Sequence, residues 1–145
     1  MFFGTDRSRM RRYFCEVWSK HTAGQPLEPL ERIIAGVIAQ HPEYHTLLTG
    51  TEALLERDYL LELGEANPFL HMGLHIAIQE QLSSNRPAGI LSLYQGLCQR
   101  FGDSHTAAHQ MMECLGQTLW EAQRKHREPD AALYLQRLER LVQGD

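Results

Sequence analysis

Apolar side chains recur at the spacing of a single helical face along nearly the whole chain, and strand-like alternation is missing. The N-terminal segment shows the pattern at positions i, i+3, i+4, i+7 and i+8, which are Met10, Tyr13, Phe14, Val17 and Trp18. This spacing predicts an amphipathic helix over about residues 6–20, capped near Thr5. The dominant period therefore predicts an all-α protein.

Proline and glycine divide the first half of the chain into further helices. One helix is predicted from about Pro29 to Gln40. Pro42 disfavours helical geometry at His41 but suits the first turn of a new helix, so a short helix is predicted over 42–48, ended by Gly50. Residues 51–66 are ambiguous, and we expect one more short helical turn followed by a loop.

The second half carries clearer helix boundaries. The segment "NPFLHMGLHIAIQEQL" predicts a helix with Asn67 as N-cap and Pro68 at its first position. Further helices are predicted over about 88–101 with Gly102 as C-cap, from a cap at Asp103 or Ser104 to about 126, and over about 129–142. The simplest fold is an up-and-down helical bundle of about five to six helices, forming a single domain over residues 1–145.

Charge and cysteine content narrow the functional classes. The net charge of −4 does not favour a general nucleic-acid-binding surface. The one basic cluster consists of Arg7, Arg9, Arg11 and Arg12. A phosphate or acidic-partner site is one interpretation of this cluster, and the solvated face of an amphipathic helix is the favoured one.

The cysteines and the hydropathy pattern indicate the compartment. Cys15, Cys98 and Cys114 show no CxxC spacing, which argues against a disulfide framework and a thiolate zinc site and fits a reducing compartment. The N-terminal residues lack the apolar core of a secretory signal, and no run approaches the ~18 apolar residues of a membrane span. We therefore expect a cytoplasmic protein with no membrane partner.

Histidine spacing is the most distinctive chemical feature of the chain. Six of its eight histidines form three HxxxH pairs, which are His41/His45, His71/His75 and His105/His109. Random placement would give about 0.4 such pairs. Residues at i and i+4 lie one turn apart on one helical face, so two imidazoles at this spacing can reach one metal ion. The first pair is the weakest because Pro42 lies inside it.

The other two pairs are predicted to face inward. His71 and His75 share a helical face with Leu74, Ile78 and Leu82. His105 and His109 lie on a predicted stripe with Ala108, Met112, Gly116, Leu119 and Trp120, with Glu113 on its flank. If the helix between them is antiparallel to both, these two helices run parallel, and all four imidazoles meet at one end of the bundle.

This geometry predicts a metal site formed by His71, His75, His105 and His109, with Glu113 and His45 as lesser candidates. Neutral imidazole suits zinc, iron, nickel or copper, with zinc or iron expected first, and no organic cofactor is indicated. In an enzyme, the metal would activate water or dioxygen with Glu113 or Glu43 as acid/base, but no substrate class is indicated.

Two other interpretations of the histidines stay open. They can form a structural polar cluster in the core of a non-enzymatic interaction module, and such a module can be a homodimer. They can also form a pH-responsive cluster that becomes charged between about pH 5 and 7.

Three segments resemble a known family. "QHPEYH", "NPFLHMGLHIAIQEQL" with the following "RPAGI", and "HQMMECLGQTLWEAQR" are similar to small proteobacterial proteins grouped as domain of unknown function 1841. The resemblance covers the chain from its N-terminal helix to Arg124. It implies a small bacterial cytosolic protein and implies no activity.

Overall fold

The computed structural model describes the backbone of residues 7–48 and 68–144, and the side chains of residues 9–45, 48 and 69–144. These residues form helices and connecting turns, without a strand among them. The all-α class predicted from the sequence is confirmed. The internal contacts divide the chain into two compact units, an N-terminal unit Met1–Ile76 and a C-terminal unit Ala77–Asp145. The single domain expected from the sequence stays a prediction.

The N-terminal unit is built from helices that the proline and capping signals define. Helix α1 spans Arg7–Thr22 and α2 spans Pro29–Ala39, followed by a 3-10 turn over Pro42–Tyr44 and the short α3 over His45–Leu48. Helix α4 spans Pro68–Ser84 and belongs to this unit through Ile76. The predicted cap at Asn67 and the predictions for residues 49–66 lie outside the described residues.

One apolar core joins these helices. Its fully buried members include Phe14 and Val17 of α1, which confirms the stripe predicted for this helix, and Met72 and Ile76 of α4. Helix α2 supplies Ile34, Ala35, Val37 and Ile38 to the same core. Packing of these buried residues therefore holds the last turn of α2, which ends at Ala39, in place. This also fixes the position from which the following residues continue.

Polar contacts set the start of α2. Pro29 takes the first helical position, and the backbone N–H of Glu28 donates to the Glu31 side chain at 2.8 Å, as part of a capping box. The same carboxylate accepts a bond from Lys20 Nζ at 2.8 Å, which ties α1 to α2.

One arginine of the predicted basic face is buried. Arg11 is 1% exposed, and its guanidinium carbon lies 4.6 Å above the centroid of the Phe69 ring. Arg9 and Arg12 are exposed as expected. The interpretation of the cluster as a solvated face is wrong for Arg11, because a planar guanidinium can stack on an aromatic ring inside the unit.

The C-terminal unit contains three complete helices, each of which contacts the other two. They are α5 over Ile90–Phe101, α6 over Ser104–Arg124 and α7 over Ala131–Gln143. The predicted caps between α5 and α6 are confirmed: Gly102 ends α5 with a φ of +78°, and the Asp103 carboxylate accepts the His105 N–H at 2.8 Å. Helix α7 begins two residues after the predicted Pro129, because Asp130 caps it through the Leu133 N–H.

The buried face of α6 differs from the predicted one. The buried residues are Ala107, Met111, Met112, Leu115, Thr118 and Ala122, whereas the predicted stripe member Trp120 is 56% exposed. Both stripes are apolar in sequence, so periodicity alone does not choose between them. Thr118 can join the buried stripe because its hydroxyl donates to the Cys114 carbonyl at 2.8 Å.

Two further features bear on the sequence predictions. All three cysteines are free thiols, as expected. None of the described helices combines the length and the apolar character that crossing a bilayer would need.

Candidate metal centre

Three imidazole rings meet in the N-terminal unit, at the end of α2 and on the first turns of α4. The ring centroids of His41 and His71 are both 4.8 Å from that of His75, and they are 5.3 Å from each other. Taking one ring nitrogen from each residue, the three nitrogens all lie within 4.8 Å of one another. We call His41, His71 and His75 the histidine cluster.

Local sequence explains how each ring reaches the cluster. His71 and His75 are four residues apart in α4, so they project from one face a single turn apart. His41 lies in the junction between α2 and the 3-10 turn, where Pro42 disfavours continued helix. Its backbone adopts φ −125° and ψ 66°, outside the helical region. Pro42 therefore ends α2 before His41, and the His41 side chain contacts the histidines of α4.

A main-chain hydrogen bond sets the proton position on His41. Its Nδ1 lies 2.7 Å from the carbonyl oxygen of Val37 in a buried setting. A carbonyl oxygen only accepts, so Nδ1 carries the proton and donates, and the neutral ring then has its lone pair on Nε2. Metal-binding histidines usually use this arrangement, in which the second ring nitrogen donates to a carbonyl or carboxylate.

The cluster is largely shielded from solvent. His41 is 8% exposed, His75 is 7% exposed, and His71 is half-buried. The Nε2 atom of His75 lies out of reach of bulk water. An ion bound by the three rings would therefore be largely enclosed by protein.

Tyr44 flanks the cluster from the 3-10 turn. Its ring stacks on His41 with an interplanar angle of 8° and a centroid distance of 5.7 Å, and it meets His71 edge-on at 6.5 Å. Burial, together with the nearby charge of Glu43, raises the pKa of the Tyr44 phenol. The hydroxyl is therefore a protonated hydrogen-bond donor at neutral pH.

The spacing of the nitrogens can be compared with the requirement of an ion. Zinc–nitrogen bonds of about 2.0–2.1 Å in a tetrahedral site place ligand nitrogens about 3.3 Å apart. The cluster nitrogens lie within 4.8 Å of one another, so each nitrogen has to move by about 1 Å or less to reach this spacing around a common centre. Rotations about the side-chain torsions of the three rings cover such a distance.

The sequence-predicted ligands fall in three places. His71 and His75 lie in the cluster, which also includes His41, a residue that the sequence analysis did not count as a ligand. Its HxxxH pairing with His45 was the available signal, and the proline within that pair argued against it. Tertiary packing, not helical spacing, brings His41 to His71 and His75.

His45, a lesser candidate, makes different contacts. Its Nε2 donates to the Ile38 carbonyl at 2.8 Å, and its ring centroid lies 4.5 Å from that of Trp18. This histidine thus bonds to the last turn of α2 and packs on α1. Its role as a ligand stays a prediction.

The remaining predicted ligands belong to the C-terminal unit. His105 and His109 have ring centroids 4.3 Å apart, and His109 Nδ1 lies 2.9 Å from the His105 carbonyl. The inward orientation predicted for this pair is wrong for His105, which is exposed. The reason is that the buried stripe of α6 runs through Ala107 and Met111, and Glu113 is exposed as well. The four-histidine site draws on both units and stays a prediction.

None of the cysteine thiols joins the group of converging ligand atoms found among the described residues. Burial raises the pKa of Cys15 and of Cys114, so both stay protonated at neutral pH. A thiol has to lose its proton to bind a metal strongly. Among the described residues, the ligand atoms that converge are all imidazole nitrogens.

Comparison with known proteins places the chain in a family without a described activity. A family model described as "Domain of unknown function (DUF1841)" matches residues 6–140. Comparisons with curated proteins and with solved structures found no match.

Proposed function

The chain belongs to the family described as Domain of unknown function (DUF1841), and we propose that it binds one transition-metal ion, zinc or iron, through His41, His71 and His75. The observation that carries this proposal is the convergence of three imidazole nitrogens to within 4.8 Å of one another. Three neutral imidazoles suit zinc and divalent iron better than the hard cations magnesium and calcium, which prefer oxygen ligands.

The hydrogen bond of His41 supports the same proposal. A ligand needs its lone pair directed at the ion and its ring held in place, and the bond from Nδ1 to the Val37 carbonyl contributes to both. Helix α4 holds the other two rings on rigid backbone, since they lie within a continuous helix. A site with two ligands on one helix and a third just beyond the end of another restricts how far the rings can move when no ion is present.

Metal content of the purified protein tests this proposal. The protein is produced without a histidine tag, equilibrated with zinc or ferrous iron, and passed over a desalting column before elemental analysis. We expect close to one equivalent of ion per chain. Less than about a tenth of an equivalent, with no thermal stabilisation by either ion, contradicts the proposal.

A matched pair of variants assigns the ligand. His41→Ala removes a proposed ligand, whereas His45→Ala removes the other histidine of the same HxxxH pair, which bonds to Ile38 and packs on Trp18. We expect His41→Ala to lose the ion and His45→Ala to retain it. The reverse result would move the site to His45, as the sequence had allowed.

A second candidate function has one observation in its favour. His41 and His45 each bond to a carbonyl in the last turns of α2, at Val37 and Ile38. Such bonds satisfy main-chain acceptors at a helix end, which is a structural role suited to an interaction module. In that case, we expect His41→Ala and His45→Ala both to destabilise the fold and neither to change the metal content. Sedimentation of the unmodified protein then tests for a homodimer.

A further inference from the structure

The charge of the histidine cluster bears on how the coordination of a bound ion would be completed. Three neutral imidazoles contribute no negative charge, so a divalent ion bound by them keeps its charge of +2. His41 and His75 are 8% and 7% exposed, so this charge would be held largely away from bulk water. An isolated buried charge is costly unless it is paired.

Among the described side chains of the N-terminal unit, no carboxylate joins the converging ligand atoms of the cluster. Glu31 is bonded to Lys20 at 2.8 Å and to the Glu28 N–H, and Glu16, Glu28 and Glu43 are exposed. Within these described residues, the group with converging ligand atoms consists of imidazoles alone. The counter-charge that a bound ion needs is then most simply met by a ligand from solution.

The number of ligands points in the same direction. Structural zinc sites are closed by four protein ligands, whereas sites with three protein ligands hold water or substrate at the fourth position. The flanking Tyr44 places its phenol ring beside two of the three rings, with ring-centroid distances of 5.7 Å to His41 and 6.5 Å to His71. A phenol in this position can donate a hydrogen bond to an anion on the ion.

We infer that the ion held by His41, His71 and His75 keeps one coordination position at which a small anion replaces a bound water. This inference rests on the proposed function and names its ligand class: monovalent anions such as hydroxide, azide or a short carboxylate. Binding is a simple exchange, in which the water leaves as the anion's lone pair forms the bond to the metal. No electron is transferred and no covalent bond within the anion changes.

Cobalt substitution tests the inference on the full chain. Divalent cobalt takes the same ligands as zinc and reports its coordination through visible absorption bands. The cobalt-loaded protein is titrated with sodium azide at constant ionic strength. We expect the bands to shift along a saturable curve that fits one azide per cobalt.

The outcomes separate the two proposals. Cobalt that binds in one equivalent with bands that azide does not alter, up to about 100 mM, overturns the open position but leaves the metal site standing. Failure to bind cobalt, zinc or iron overturns the metal site and the inference together.

Tyr44→Phe gives a second measurement. Since it removes only the hydroxyl, we expect cobalt affinity to stay within about twofold and the azide dissociation constant to rise about threefold to tenfold, the size of one typical net hydrogen bond. Acetate as a second anion checks that the effect is not confined to azide. An unchanged azide constant in Tyr44→Phe counts against the anion lying beside this phenol, and therefore against the inference as placed.

Discussion

Replacement of His75 by leucine separates metal binding from packing. His75 is 7% exposed and lies in α4 between the buried residues Met72 and Ile76. Leucine is apolar, of similar size and a good helix former, so it can fill this space. We expect the free energy of unfolding of the metal-free variant to stay within about 1.5 kcal/mol of the wild type.

The effect of metal on stability follows from linkage. At a free zinc concentration of 100 times the dissociation constant, the wild type gains about 2.7 kcal/mol. For a chain of this size, that gain raises Tm by about 5–11 °C. If losing one of three ligands weakens zinc binding about a hundredfold, the variant at the same free zinc gains only about 0.4 kcal/mol, or less than about 2 °C.

Thermal unfolding followed by far-UV circular dichroism measures these shifts, with free zinc fixed by a metal buffer. His109→Leu is the matched control, because His109 is half-buried and, like His75 on α4, is the second member of an HxxxH pair, here on α6. We expect the zinc shift in the control to equal that of the wild type. Equal zinc shifts in His75→Leu and the wild type refute the reasoning. Loss of the shift in both variants supports the four-histidine site predicted from the sequence.

Three further predictions concern stability. Gly36→Ala should raise the free energy of unfolding by about 1 kcal/mol, because an added Cβ meets nothing within 4 Å in the middle of α2. In urea unfolding, the free energy of unfolding of Gly96→Ala should lie about 1–3 kcal/mol below that of Gly36→Ala, since the added Cβ would lie 3.0 Å from Val142 Cγ1. Combining it with Val142→Ala should remove this difference. The pKa of Asp103 is lowered, and the largest cause is the hydrogen bond from the Thr106 hydroxyl. The carboxylate therefore contributes stability above its ordinary pKa of 3.8, and this contribution is lost as the pH falls through the lower pKa of the folded state. Asp103→Asn should therefore flatten the acid limb of stability measured from about pH 7 to about pH 2, and an unchanged slope contradicts this origin.

Local signals predicted most helix boundaries because they act within a few residues. Pro29 at a first helical position, Gly102 at positive φ and the Asp103 cap are all satisfied by neighbours in sequence. The pairing of His71 with His75 is of the same kind, since the geometry of one helix turn fixes it. These features do not depend on which other helix packs nearby.

Features that depend on tertiary packing were not predictable in the same way. Helix α6 has two apolar stripes, and contacts with α5 and α7 select the one through Met111 and Leu115 over the one through Trp120. The burial of Arg11 depends likewise on Phe69, a residue remote in sequence. Periodicity reports that a face is apolar, but it does not report which partner covers that face.

The third histidine of the cluster shows how a local signal can point away from a tertiary one. Pro42 weakened the HxxxH pair of His41 as a helical motif, yet the break it introduces ends α2 where His41 can reach α4. Three imidazoles in a largely buried position are also an unfavourable way to fill space, since apolar side chains would pack there without polar groups to satisfy. Binding of an ion would offset that cost through the metal–nitrogen bonds that it forms with the rings. A purely structural cluster would have to offset it through hydrogen bonds such as the one from His41 to Val37, and the metal dependence of stability in His75→Leu distinguishes these two origins.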